Sequence, residues 1–222
     1  MSNSQMSNSQ IANDIVRSSL AHVPFDGWTR TSLVMGAADC GISESALDEY
    51  LPKGVDDAIS LYAAMADADM VSAYEALEKV PDKMHLKIRA LILCRLSLAL
   101  PHKQVVSKTL SYLAQPQQAA RATKLLYQTV DVMWRSAGDS ATDISFYSKR
   151  ATLAGVYSAT LLAFLADDSA DMAKTEAFLD RRLQEVAMIP KVTKPAKAAF
   201  GQITGALSAF AGGLIRARRT RG

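Results

Sequence analysis

The side chains best able to hold a metal or act as nucleophile and base are Cys40, Cys94, His22, His85 and His102. Their spacing suits neither use. Each cysteine sits alone in an apolar run without a CxxC pair, and no histidine stands at ligand spacing from another histidine or from a cysteine. A zinc site or a Ser-His-Asp arrangement is therefore disfavoured. No glycine-rich phosphate loop is present either. Residue types suited to binding are better represented. The run from Met133 to Ser169, MWRSAGDSATDISFYSKRATLAGVYSATLLAFLADDS, brings together Trp134, Phe146, Tyr147 and Arg150, the types that dominate interaction hot spots. Asp139 follows the helix-ending Gly138, and Thr142 or Asp143 can cap the helix that carries the aromatic pair. By periodicity alone, the same aromatics also fit an ordinary core.

A second binding candidate lies at the C-terminus. The formal net charge is only +3, yet from Lys191 to Gly222 there are seven bases and no acid, while the first 190 residues hold 18 bases against 22 acids. Residues 39–82 are more extreme, with eleven acids against Lys53 and Lys79. Such an acidic body with a basic tail points the tail at an anionic partner. At 100 degrees per residue, Phe200, Ile203, Leu207, Phe210 and Leu214 share a narrow stripe on a segment otherwise made of small residues. Lys191, Lys194 and Lys197 precede it, and Arg216, Arg218, Arg219 and Arg221 follow. This pattern fits an interfacial helix that buries one face among acyl chains and sets its cations on anionic headgroups. Packing of the stripe on the acidic body is the other reading open to it.

A third candidate is WTRTSLVMGAADCGISESALDEYL, from Trp28 to Leu51. Two short helices joined by a glycine turn are the arrangement that places a recognition helix in the major groove. It resembles the N-terminal module of TetR-type regulators, but its chemistry opposes DNA. The would-be recognition helix, Ser43 to Tyr50, offers Glu44, Asp48 and Glu49 and no base. Phosphate neutralisation supplies most nonspecific affinity, so the segment reads as a structural module that does not bind nucleic acid.

The elements behind these candidates are helical throughout. The 222 residues are 49% hydrophobic and 21% charged with 11 Gly and 7 Pro, which excludes disordered, collagen-like and disulfide-scaffold classes. The polar repeat MSNSQMSNSQ reads as a disordered leader over residues 1–10 and not as a targeting signal. Periodicity predicts helices over 7–23, 29–38, 43–50, 55–80, 82–100, 103–114, 117–137, 143–166, 168–189 and 195–219. This is an all-α bundle of nine or ten helices. Its expected organisation is a helix-turn-helix-like module over 11–54, a helical body over 55–190 and the basic amphipathic helix over 191–222. Ala151 to Ala166 carries no charge and suits a central helix. Leu153, Tyr157, Leu161 and Phe164 fall on one of its faces and are expected to wall an apolar cavity.

Three stretches taken together carry a family resemblance: the run from Met133 to Ser169, HVPFDGWTRTSLVMGAADCGIS (His22 to Ser43) and FLDRRLQEVAM (Phe178 to Met188). They resemble the ubiquinone (coenzyme Q) biosynthesis accessory family, often called Coq nine, over about Ile11 to Ile215. The resemblance implies a TetR-like fold that has given up DNA binding and forms a homodimer. It also implies an apolar pocket for an isoprenoid lipid, either a quinone or a phospholipid, and a last helix that engages membranes. Mitochondrial members assist a demethoxyubiquinone hydroxylase through a patch that maps onto Trp134, Asp139, Asp143, Phe146, Tyr147 and Arg150. This sequence places Phe146 where those members have Trp and begins without their targeting leader. The expectation is a non-enzymatic, lipid-binding accessory protein, cytoplasmic and peripheral to the inner membrane, working with that hydroxylase or other ubiquinone-pathway enzymes. A ligand-responsive TetR-type regulator is the alternative.

Overall fold

The computed structural model describes residues 3–139 and 144–188. Asp143 and the whole basic tail, including Lys197, Phe200, Ile203, Leu207, Phe210, Leu214, Arg216, Arg218 and Arg219, lie outside the described residues. Among the described residues there are ten α-helices and no strand: α1 (Asn3–Ser19), α2 (Val23–Asp26), α3 (Arg30–Asp39), α4 (Glu44–Tyr50), α5 (Val55–Glu75), α6 (Met84–Ala99), α7 (Lys103–Leu113), α8 (Ala119–Ser136), α9 (Ile144–Ala166) and α10 (Ala173–Met188). Short 3-10 turns at Leu100–His102 and Pro116–Gln118 lead into α7 and α8. Each contains a proline near its start, where the missing N–H costs nothing.

Two compact units result. The first takes the described residues up to Asp69 together with Ala99–Leu113, and the second takes Met70–Leu98 with those from Ala114 onward. The first unit is thus larger than a 11–54 module, since it includes most of α5 and all of α7. Its core holds Ile15, Val16, Val23, Leu33, Leu47, Leu51, Ile59 and Val105. Trp28 closes this core from the loop before α3, where its indole N–H donates to Thr109 Oγ1 at 2.8 Å and its ring meets Tyr62. Thr29 caps α3 as its sequence position predicts: its hydroxyl accepts from Ser32 N–H, and the Ser32 hydroxyl accepts from Thr29 N–H in return. The chain turns between α3 and α4 at Gly41, whose φ of 73° suits only a residue without Cβ. Where α1 packs along α3, the two approach so closely that a Cβ on Gly36 would fall 2.2 Å from Ser19 Oγ and 2.6 Å from Ser19 N.

In the second unit, α9 packs between α8 and α10. Leu91, Ile92, Leu96, Met133, Phe164 and Leu179 are fully buried there. Arg89 on α6 pairs with α10 through Asp180 (2.5 Å) and Glu176 (3.4 Å). The Asp180 hydrogen bond outweighs the cost of partial burial and holds the guanidinium protonated more firmly than usual.

The first helix ends at Ser19 and not at Val23, and the short α2, which the periodicity does not predict, follows it with Pro24 in its first turn. Three further boundaries differ from the sequence expectation. First, α1 begins at Asn3, inside the segment expected to be a disordered leader. That segment has neither Gly nor Pro, so the turn anchored by buried Ala12, Ile15 and Val16 can propagate backward one hydrogen bond at a time. Second, α5 stops at Glu75 and not near Val80, because no core receives its continuation: Leu77 and Val80 are exposed. Third, α10 starts at Ala173 and not at Asp168. Residues 167–172 instead form a loop in which Met172 takes a positive φ of 55° and the Asp167 carboxylate accepts from the N–H and hydroxyl of both Ser169 and Thr175. Asp167 therefore caps α10 from outside the helix. Burial pushes its carboxyl up, but the hydrogen bonds from Ser169 and Thr175 prevail and hold it far below the usual carboxylate range.

Candidate functional site

The chemistry-bearing cluster of the second unit is built from the end of α8 and the start of α9. Glycine at position 138, with φ of 91°, ends α8 and lets Asp139 N–H return to the Trp134 carbonyl. That turn aims the Asp139 carboxylate at α9, where Lys149 Nζ meets Oδ1 at 2.7 Å and an Arg150 terminal nitrogen approaches Oδ2 at 3.6 Å. The other side of Arg150 is fixed by Asp131, whose Oδ1 lies 2.7 Å from Nε, and Arg135 holds the second oxygen of Asp131. The Arg150 guanidinium also donates to the Phe146 carbonyl at 3.3 Å, and its central carbon lies 3.3 Å from the centroid of the Phe146 ring. Lys149 sits over the Trp134 ring at 5.6 Å.

Burial divides this cluster in a way that sequence did not. Arg150 is only 1% exposed and the Asp139 side chain 5%, whereas Tyr147 is 66% exposed. Arg150 and Asp139, expected as surface contacts, are thus internal, because two carboxylates within reach of one guanidinium make its burial affordable. Phe146 is half-buried and meets Tyr147 edge-to-face at 5.1 Å. The accessible part of the patch is therefore an aromatic edge, and the charges behind it fix its position. Trp134 Nε1 is buried without a hydrogen-bond partner. Asp143, the remaining member, lies outside the described residues. Sequence reading missed Asp131 and Lys149. The one available signal was that Asp131 and Arg135 stand four apart on a helix, an ordinary pairing.

Of the expected cavity walls, Leu153, Tyr157 and Phe164 are buried and Leu161 is half-buried. The Tyr157 hydroxyl accepts from Arg95 Nε at 2.8 Å, which joins α9 to α6.

In the first unit, the helix-turn-helix-like segment folds as read, but its one base is spoken for. Arg30 on α3 binds Asp48 of α4 at 2.7 and 3.2 Å, with Glu44 at 3.6 Å. The hydrogen bond with Asp48 raises the arginine pKa and lowers that of the aspartate. Ser43 occupies the N-cap position of α4, yet its hydroxyl pairs with Ser45 and makes no cap bond. Among the described residues, no helix is long and apolar enough to cross a membrane.

Comparison with known proteins follows the same division. The COQ9 family model matches residues 119–190, the segment that contains the patch. The ubiquinone biosynthesis protein COQ9, mitochondrial, of Rattus norvegicus is 30% identical over 198 residues, covering 86% of this chain and 63% of that protein. Its Homo sapiens counterpart is 28% identical over 198 residues, covering 86% of this chain and 62% of that one. The chain thus spans somewhat under two thirds of the length of these relatives. Among solved structures, a TetR transcriptional regulator from Nitrosomonas europaea superposes with a TM-score of 0.65 at 18% identity, covering 81% of this chain and 99% of that one. At that identity the likeness concerns fold alone. The chain is thus similar to the COQ9 proteins over most of its length, with the family-model match at 119–190, and it has a TetR-like all-helical fold.

Proposed function

We propose that this chain serves ubiquinone biosynthesis as a non-enzymatic accessory protein, binding a polyprenyl quinone intermediate and presenting it to a ring hydroxylase at a membrane surface. The observation that carries this reading is the make-up of the COQ9-matched segment: an aromatic edge, Phe146 and Tyr147, is offered outward while the charges behind it are buried and mutually neutralised. Such an edge suits docking to a protein partner, because a few aromatic side chains that become desolvated carry most of the energy of an interface. The uncharged part of α9, Ala151 to Ala166, supplies the apolar surface on which a lipid tail can lie, with Leu153, Tyr157, Leu161 and Phe164 as its walls. A tail of isoprene units is insoluble in water, so an enzyme acting on the ring gains from a carrier that lifts the head group from the bilayer. The basic amphipathic segment is proposed to hold the protein on anionic lipid, and the working form is proposed to be a homodimer.

The deciding experiment is native mass spectrometry with lipid extraction on protein purified from its own membranes, paired with ubiquinone measurement in a deletion strain. Expected are a bound isoprenoid quinone or its precursor and a ubiquinone deficit that the full chain restores. A lipid-free protein whose loss leaves ubiquinone unchanged overturns the proposal.

The TetR-type regulator is the second reading, favoured only by the fold. Arg30, engaged by Asp48 and Glu44, and the acidic α4 oppose it, since carboxylates facing phosphate repel. Titration with random and promoter DNA at low salt should give no saturable binding.

A further inference from the structure

A different part of the second unit carries a polar group with no use in the fold. Tyr74, on the last turn of α5, is 4% exposed, and its hydroxyl has no hydrogen-bond partner. One helical turn earlier, Met70 is fully buried, and Leu91 on α6 is as well. The neighbouring titratable group is Cys94 of α6, a half-buried free thiol. Burial pushes the tyrosine hydroxyl up, with Cys94 adding to the effect, and burial pushes the thiol up too, so both protons stay in place at neutral pH. The next residue, Arg95, donates to the Tyr157 hydroxyl. That hydroxyl is therefore engaged, whereas the buried hydroxyl of Tyr74 has no such partner.

An unpartnered buried hydroxyl is costly, and the fold would lose nothing in shape if position 74 were phenylalanine. A ligand that accepts from it would remove that cost. The donor is neutral and single, which suits a carbonyl or methoxy oxygen better than a phosphate, whose charge calls for several donors or cations. We propose that Tyr74 is the head-group anchor of the bound lipid, donating its hydroxyl proton to a ring oxygen of a benzoquinone. This inference rests on the lipid-carrier reading given above and names the contact that selects a quinone ring over other isoprenoids.

The test compares full-length wild type with Tyr74→Phe, using short-tailed ubiquinone, an isoprenoid hydrocarbon without a ring and a phosphatidylglycerol as probes. Affinity is read from tryptophan quenching, and the carbonyl stretch of isotope-labelled bound quinone is read by infrared difference spectroscopy. Tyr74→Phe is expected to weaken quinone binding roughly fivefold to tenfold. Hydrocarbon binding should be unchanged, the carbonyl band should move toward its free position, and the melting temperature of the ligand-free variant should be equal or higher. Unchanged quinone affinity and carbonyl band in a folded Tyr74→Phe overturns the anchor and leaves the carrier reading standing. A fall in melting temperature for the ligand-free variant assigns the hydroxyl a structural bond and overturns it as well. Equal loss of phosphatidylglycerol binding overturns the choice of a quinone ring. Failure of wild type to bind any isoprenoid overturns both readings together.

Discussion

The guanidinium carbon of Arg150 lies 3.3 Å from the centre of the Phe146 ring, one turn away on the same helix. A cation over an aromatic face is favourable, and more so away from water. Because Asp131 and Asp139 balance the charge from behind, the arginine can be buried while Phe146 and Tyr147 are held at the edge of α9. Position and exposure are thus assigned to different residues of one patch.

This separation is measurable. Arg150→Met leaves two carboxylates facing each other without their shared cation, and breaking a buried pair costs about 3–5 kcal/mol. The melting temperature should fall by roughly 10 °C for a chain of this size. Tyr147→Ala removes an exposed ring and should change stability by less than about 0.5 kcal/mol. If the edge docks a partner, Tyr147→Ala nevertheless lowers cellular ubiquinone. A ubiquinone loss that merely tracks melting temperature across both variants would assign the whole patch to structure.

Gly36→Ala should be among the most damaging single-methyl additions in the first unit. Its Cβ would meet both the hydroxyl and the backbone nitrogen of Ser19, and overpacking of this kind costs about 1–3 kcal/mol. A drop of several degrees in thermal melting is expected. Adding Ser19→Ala should not restore stability, because the backbone contact at 2.6 Å remains.

Asp167 gives a pH signature. Its carboxyl is held below its ordinary value in the folded chain, so its contribution is present above the unfolded pKa, about 4, and is lost as the solution is acidified past that point toward the folded value. Asp167→Asn should cost about 1 kcal/mol at neutral pH, the usual weight of a lost helix cap. The melting-temperature gap between wild type and Asp167→Asn should narrow steadily below about pH 4. A gap that stays constant down to pH 2 would show that charge at Asp167 does not matter.

For the basic tail, flotation with vesicles separates two contributions. Phe200→Ser with Phe210→Ser should weaken binding at every ionic strength, since apolar burial is insensitive to salt. Replacing Arg216, Arg218 and Arg219 by Ser should matter mainly on anionic vesicles at low salt, because cations are screened within about 8 to 10 Å at physiological salt. Melting temperatures unchanged by the serine pair would separate anchoring from packing; a loss of several degrees would place the stripe in the core.

Much of this architecture was legible in residue patterns, and the misses share a cause. Pro24, expected to end the first helix, sits in the first turn of the unforeseen α2, whereas Thr29, Gly41 and Gly138 mark turns through local chemistry, so α3, α4 and the end of α8 fell where expected. The ends of α5 and α10 did not, because they depend on what lies across from them: exposed Leu77 and Val80 have no core to join, and Asp167 reaches eight residues along the chain to cap Thr175. In the patch, residue types announced a cluster, but burial could not be read from them. Arginine and aspartate are usually exposed, and only the pairing of Arg150 with Asp131 and Asp139, 19 and 11 positions away, brings them inside. Tyr74 left no trace in periodicity, since a tyrosine at a core position looks the same with or without a partner for its hydroxyl.

The contact between Arg30 and the acids of α4 bears on any attempt to make this module cationic. Asp48 and Glu44 hold the base of α3. Replacing those acids by lysines would set like charges beside Arg30 in the same step that created a cationic surface. Each single substitution would therefore weaken the module before any affinity for phosphate was gained, so charge reversal at α4 carries a stability cost from its first step.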